Sequence, residues 1–307
     1  MGGKVADDEP RVSEGEWLRQ PERGSAFGIC ALLAAHRVFG RRFAVAILGV
    51  VALYYAMFAR TARRASRDYL RRVLPDPGFL DVVRHIATFA VCSFDRVLFA
   101  AGKLDGLRID RTGAEHLQAL HEAQRGAILL GAHLGSFEAL RAMGEREGLV
   151  VNVLAHFANA RKITAMLAAV APGFAARIIE IDPDAPHWAL KVGERIAAGE
   201  LVAVLGDRTG LGEGTAAVDL LGGRANLPTG PYALAAVLRC PIYLTFGLYL
   251  GGGHYSLHCE PFAESVELPR AERAARVQAL AHRYATRLEH YVRRAPYCWF
   301  NFFSLWS

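Results

Sequence analysis

The sequence predicts an α/β fold, a mixed and mainly parallel central sheet flanked by helices, with an N-terminal apolar helix that associates with membrane. Three observations carry this. Apolar runs at 127–130, 149–155, 176–181 and 201–205 have the length of buried strands, and segments at 159–171 and 187–198 between them have helical periodicity. That alternation favours parallel strands with helices on both faces. Residues 43–59 hold no charged side chain and have arginines on both sides. The 307-residue chain is also 52% hydrophobic, with mean hydropathy +0.17, which is high for a soluble enzyme and points to a lipid partner.

In chain order, residues 1–16 are polar and read as a loose tail, without the apolar core of a signal peptide. Residues 43–59 would make a helix roughly 25 Å long, marginal against the ~30 Å hydrocarbon core. Arg37, Arg41 and Arg42 precede it, and Arg60, Arg63, Arg64, Arg67, Arg71 and Arg72 follow. Charge on both flanks gives no orientation across a bilayer. It fits a helix lying in, or dipping into, one anionic leaflet better than a full span. Arg60, Arg63, Arg64, Arg67 and Arg71 fall on one helical face, which can rest on headgroups. A buried core helix beside a solvated, Arg-rich neighbour is the alternative. Residues 78–100 are helical in pattern, interrupted by Asp81, Arg84, His85 and Asp95, and a short helix at 113–124 leads to the first strand.

That strand ends in Gly-Ala-His-Leu-Gly-Ser-Phe-Glu, residues 131–138. A histidine at a strand mouth, with a carboxylate five residues on in a new helix, can fold back into a His133–Glu138 pair. The carboxylate then holds one ring nitrogen, and the other can take a proton from a hydroxyl. Amides of the 134–136 turn could face a developing oxyanion. A plainer account also serves: Glu138 suits the positive end of a helix and Ser136 is an ordinary N-cap. Gly206-Asp207-Arg208 follows another strand. Open sheets of this kind gather their sites at strand carboxyl ends, so His133 and Asp207–Arg208 are expected to be neighbours. Alternatively, Asp207–Arg208 is a surface turn with a local ion pair worth little. Leu-Pro-Thr-Gly-Pro (227–231) opens a helix with proline near its start. Strands at 243–250 and 254–260 flank a triple-glycine turn, a long amphipathic helix covers 270–294, and the aromatic run at 296–306 is either an interface anchor or a strand packed into the core.

The net charge of +6 comes almost wholly from arginine, since lysine occurs only at 4, 103, 162 and 191. Guanidinium forks suit phosphate and carboxylate groups. No zinc-finger spacing or RNA-binding signature is present, so nucleic acid is not an expected partner. Five dispersed cysteines without a C-x-x-C pair read as reduced thiols, consistent with a site on the cytoplasmic side. His254 and His258 share a strand face, but a third ligand is missing and no metal is expected. Nucleotide-binding glycine motifs and the G-x-S-x-G elbow are absent.

The 131–138 segment resembles the H-x4-[D/E] signature of the lysophospholipid acyltransferase superfamily, and most closely the bacterial branch with the lipid A late acyltransferases, which runs G-x-H-[FL]-G-x-[FW]-E. The likeness extends along most of the chain: Asp207-Arg208 resembles the family's third block, Pro228-Thr229-Gly230 its P-T-G segment, Cys240-Pro241-Ile242 its fourth block, and Trp299 to Phe303 its aromatic tail. The glycerolipid members read E-G-T-R at the third block, a departure here. The resemblance implies a glycerolipid acyltransferase-like fold, with a tail and entry segment at 1–24, membrane-associating helices at 25–75 and an acyltransferase domain at 76–307. It implies transfer of a fatty acyl group from acyl-carrier protein or acyl-CoA, as co-substrate, to a hydroxyl of a lipid or glycolipid. His133 and Glu138 would be catalytic. Arg208 would hold an anionic part of a substrate, Asp207 would orient it or shape the turn, and Thr229 and Gly230 would border the acyl pocket. Neither metal nor resident cofactor is implied, and the setting is the anionic inner membrane, with the site facing the cytoplasm. A thioesterase or lipid hydrolase using the same pair on water, and a non-catalytic lipid-binding protein, are the rival readings.

Overall fold

A computed structural model of the chain describes residues 26–155, 177–181, 187–209 and 214–306. The expected helix at 159–171, the entry segment and the tail lie outside the described residues. Seven strands form the main sheet: β1 (Arg108–Thr112), β2 (Ala127–Gly131), β3 (Val151–Ala155), β4 (Ile178–Glu180), β5 (Leu201–Leu205), β8 (Ile242–Gly251) and β9 (His254–Ala263). Their spatial order is β1-β9-β8-β2-β5-β3-β4. Every neighbouring pair is parallel except the β8–β9 hairpin. A separate antiparallel pair, β6 (Thr215–Leu220) and β7 (Gly223–Pro228), stands beside the sheet. The mixed, mainly parallel α/β fold is therefore as the sequence indicates.

The period of two along β2 shows how the sheet is covered. Ile128 and Leu130 point into a core shared with α7 (Gly230–Leu238) and α8 (Arg273–Arg294), while Ala127 and Leu129 point into a second core with Leu120 of α4 (Ala114–Glu122). Because β2 is central and buried on both faces, it reads as an unbroken apolar run. Edge strand β1, Arg-Ile-Asp-Arg-Thr, is largely exposed and carries no such signal. The remaining helices are α5 (Phe137–Arg146), which contacts β3, β8 and β9, and α6 (His187–Ala197), which packs on β4 and β5.

Three helices precede the sheet: α1 (Ala26–Phe58), α2 (Arg60–Val73) and α3 (Phe79–Ala100). Helix α1 is longer than the sequence suggested and kinks at Gly40, whose φ of 80° suits glycine. Ala44, Leu48, Ala52 and Ala56 recur every four residues and are buried. Ala44 and Leu48 pack with Val91, Phe94 and Leu98 of α3, while Ala52 and Ala56 join the main core with Val82 and Ile86. The opposite side shows Val50, Tyr54, Met57 and Phe58 to the exterior. Cys30–Phe58 is, among the described residues, the one stretch of helix long and apolar enough to cross a membrane.

The two aspartates that interrupt α3 are both satisfied. Asp81 accepts the Gly78 amide and the Tyr297 hydroxyl. Asp95, fully buried, takes a two-pronged ion pair from Arg41 of α1 at 3.0 and 2.6 Å and a hydrogen bond from Tyr255 at 2.8 Å.

Candidate active site

Strands β2 and β5 lie side by side in parallel, with Gly131 opposite Leu205, so the residues that follow each strand emerge together. The Gly206 amide donates to the Gly131 carbonyl and continues the ladder by one step. His133 and Asp207 thereby meet across 74 positions of sequence. His133 Nδ1 lies 2.8 Å from Asp207 Oδ1, and the His133 backbone amide donates to Asp207 Oδ2 at 3.0 Å. The Trp299 indole N–H also donates to Oδ2, at 2.8 Å. Asp207 is fully buried, while the His133 side chain stays 29% exposed.

The electrostatics follow from this geometry. Burial opposes ionisation of Asp207, but His133, Arg208 and the Trp299 donor together outweigh it and hold the carboxyl at about 2. For His133, burial first and the Arg208 guanidinium second push the pKa below its ordinary value, against the pull of Asp207. The imidazole is thus neutral near pH 7. With Asp207 an anion, Nδ1 carries the proton and Nε2 the lone pair. No protein partner for Nε2 is found among the described residues.

The structure brings Asp207 to the His133 ring, and among the described residues no hydrogen bond joins His133 to Glu138. Glu138 sits in the first turn of α5, buried, and its Oε1 meets Nε of Arg96 at 2.5 Å. Arg96 reaches it from α3, a partner no local spacing announces. Two of the turn amides, those of Gly135 and Ser136, are committed to backbone carbonyls and not left over for an oxyanion. Gly135 N donates to the Cys298 carbonyl at 2.8 Å and Ser136 N to the Gly247 carbonyl at 2.7 Å. Ser136 does cap α5, with Oγ accepting from Ala139 N at 3.2 Å.

Arg208 is the neighbour of the pair, as the strand ends predicted, but much of its fork is turned to the C-terminal segment. Nε donates to Asn301 Oδ1 at 3.0 Å and Nη2 to the Phe300 carbonyl at 2.7 Å. Burial brings its pKa down to about 10, with Asp207 opposing. Thr229 and Gly230 stand at the start of α7 instead. The Thr229 hydroxyl donates to the Gly214 carbonyl at 2.9 Å, and among the described residues neither shares a hydrogen bond with His133, Asp207 or Arg208. His254 pairs with Asp110 and His258 with Ser256, so the two do not converge.

Two neighbours of the pair go beyond the sequence expectations, in which Arg96 is not singled out and Trp299 appears only within the aromatic tail. Arg96 follows Asp95 in the otherwise apolar second half of α3, and with Asp95 taken by Arg41 it calls for a partner of its own. Trp299 is completely buried, and a buried indole N–H needs an acceptor. Those two rules are the signals that point to them.

The 133–136 turn is clamped onto β8 by a pair of glycines. Gly135 has φ 73°, and a Cβ there would run into the carbonyl of Gly247; a Cβ on Gly247 would run into that of Ser136. Gly135→Ala is expected to push the turn off the sheet and lower activity more than ~10-fold with a loss of ~2 kcal/mol or more in stability, read by thermal unfolding beside kinetics.

The family model for bacterial lipid A biosynthesis acyltransferases matches residues 15–307. The chain belongs to that family. Comparison with curated proteins returns no match. The lipid A-type acyltransferase assignment agrees with the resemblance carried by residues 131–138. For a lipid A-type acyltransferase, the feature of interest in this chain is that the carboxylate on the histidine ring comes from the strand-end Asp207, with the signature Glu138 held by Arg96.

Proposed function

We propose that this lipid A-type acyltransferase moves a fatty acyl group from the thioester of acyl-carrier protein or CoA to a hydroxyl of a lipid or glycolipid, with His133 as general base. The observation that carries the reading is the His133–Asp207 contact at 2.8 Å, which commits Nδ1 to a buried carboxylate and leaves Nε2 for substrate. In the proposed step Nε2 takes the proton of the acceptor hydroxyl as its oxygen attacks the thioester carbonyl. Asp207 stabilises the imidazolium that forms. The C–S bond then breaks, and the imidazolium returns the proton to the leaving thiolate. No acyl-enzyme is required.

The setting we propose is an anionic membrane, with the site on its cytoplasmic side. Two surfaces support it: the outward apolar side of α1, and beside it the exposed Arg60, Arg64, Arg67 and Arg71 of α2, spaced to share one face. Arg63, the fifth of that row, instead folds back onto the Ala56 and Met57 carbonyls at the end of α1. Since α1 is packed along α3, it is read as lying in one leaflet. Replacing the four exposed arginines by glutamate is expected to weaken binding to vesicles containing anionic phospholipid by ~100-fold or more, at about 1 kcal/mol per basic residue, and to leave binding to neutral vesicles nearly unchanged. Vesicle flotation measures both.

The reaction is tested by offering labelled acyl-carrier protein and labelled acyl-CoA with a total bacterial lipid extract, wild type beside His133→Ala, and reading products by mass spectrometry. A new acylated lipid made by wild type alone is the expected result and names donor and acceptor. Free fatty acid as the sole product would replace transfer by hydrolysis. Equal product from both proteins would remove His133 from the chemistry.

A further inference from the structure

The C-terminal segment enters the site as a structural partner of the catalytic turn. Gly135 N donates to the Cys298 carbonyl and Phe300 N donates to the His133 carbonyl at 2.9 Å, so Leu134 and Trp299 face each other as an antiparallel bridge. From that position the Trp299 indole reaches Asp207 Oδ2. Its own carbonyl accepts from His85 Nε2 at 2.9 Å. A carbonyl only accepts, so His85 carries its proton on Nε2 and presents a lone pair at Nδ1, which takes the Ser66 hydroxyl at 2.9 Å. Ser66, His85, Trp299 and Asp207 are all fully buried. Tyr69 and Trp306 pack edge-on against the Trp299 ring, and the Tyr69 hydroxyl donates to the Pro296 carbonyl at 2.6 Å.

We infer that Trp299 is a positioning residue for His133: its indole N–H fixes the orientation of the Asp207 carboxylate, and the Ser66–His85 pair holds Trp299 in place to do so. The inference rests on the reading of His133 as the base. It assigns a role in the chemistry to the chain's aromatic C-terminal segment and connects the arginine-bearing helix α2, through Ser66, to the catalytic pair.

The physical effect is on charge distribution. Oδ2 accepts two N–H groups, from the His133 backbone and from Trp299, and each disperses part of the carboxylate charge. Without the indole donor, more charge rests on the oxygen facing His133 Nδ1, and the imidazolium is favoured. The carboxylate also loses one of the bonds that stop it rotating. The other groups acting on this pair are Arg208 beyond β5, Arg96 from α3, itself paired with Glu138 of α5, and the Tyr284 hydroxyl from α8. Arg208 is bonded to Phe300 and Asn301, next to position 299, so the variant that isolates the N–H is the one that keeps the fused-ring shape.

The test uses the full-length protein in detergent. Trp299 is replaced by benzothienylalanine, which keeps the fused-ring shape and lacks the N–H, and separately by phenylalanine (Trp299→Phe). With ¹⁵N-labelled histidine, the His133 ring is titrated by NMR, its signal assigned by loss in His133→Ala. We expect the His133 titration to move up by about 0.5–1 pH unit in both variants, as fits one lost donor to the partner carboxylate. We also expect kcat to fall ~10-fold with KM within about twofold. A wild-type midpoint in the benzothienyl variant overturns the inference, including the case where only Trp299→Phe shifts, because that pattern is a packing effect. The titration needs no substrate, so a protein that proves to have no transferase activity would still decide this point separately.

Discussion

Asp207→Asn is expected to lower kcat by about 10³-fold while leaving KM nearly unchanged and the fold intact. The reason lies in the two oxygens of Asp207. Oδ2 receives two N–H donors, so the amide NH₂ of an asparagine cannot occupy that place. It must turn toward His133 Nδ1, where the wild type has Oδ1. Facing a donor, Nδ1 gives up its proton and Nε2 takes it, so the ring nitrogen that should accept the hydroxyl proton is already protonated. Backbone and indole donors keep their acceptor, which is why stability should hold. Glu138→Gln keeps the side-chain shape, removes the charge that meets Arg96 and should cost no more than ~10-fold. Single-turnover rates with one labelled donor separate the two. A severe Glu138→Gln beside a mild Asp207→Asn would return the orienting role to the signature carboxylate.

The second large effect is on stability. Asp95→Ala is expected to destabilise the protein by about 3–5 kcal/mol, seen as a marked drop in the thermal midpoint in detergent. Asp95 has no exposed surface, and Arg41, its partner, is 13% exposed. Removing the carboxylate strands a guanidinium against α3 and leaves the Tyr255 hydroxyl without its acceptor. Replacing both charges, Arg41→Met with Asp95→Leu, should recover much of the loss, because the cost comes from an unpaired buried charge more than from a missing attraction. If the single and double variants were equally unstable, packing at the α1–α3 contact would be the cause.

What the sequence showed and hid divides along physical lines. Strands β2 and β5 were legible because burial on both faces demands apolar residues at every position. Edge strand β1 carries three charges in five residues, and the β6–β7 pair turns through Leu221 and Gly222 at positive φ, so neither stood out as strand. The meeting of His133 with the Asp207–Arg208 turn could be foreseen from two strand ends in one sheet. The choice between Asp207 and Glu138 could not. Both carboxylates lie within reach of a strand-end histidine, and the outcome depends on Arg96 arriving from α3 to take one of them. Trp299 reaches Asp207 across 92 positions, a contact set by the packing of the whole C-terminal segment. Arg208 was read as a ligand for substrate anions, whereas its known bonds staple that segment through Asn301 and Phe300.

The four-residue rhythm Ala44, Leu48, Ala52, Ala56, with Arg41 clasped by Asp95, makes α1 a keel for the body. A tethered enzyme samples a volume above its anchor and meets lipid in any attitude. On the proposed membrane reading, a keel removes that freedom: the His133–Asp207 site keeps one heading and one height over the lipid surface. Encounter with a bilayer-resident acceptor then becomes a search in two dimensions, paced by the surface density of acceptor in the leaflet and by lateral diffusion, while only the thioester donor arrives from bulk solution.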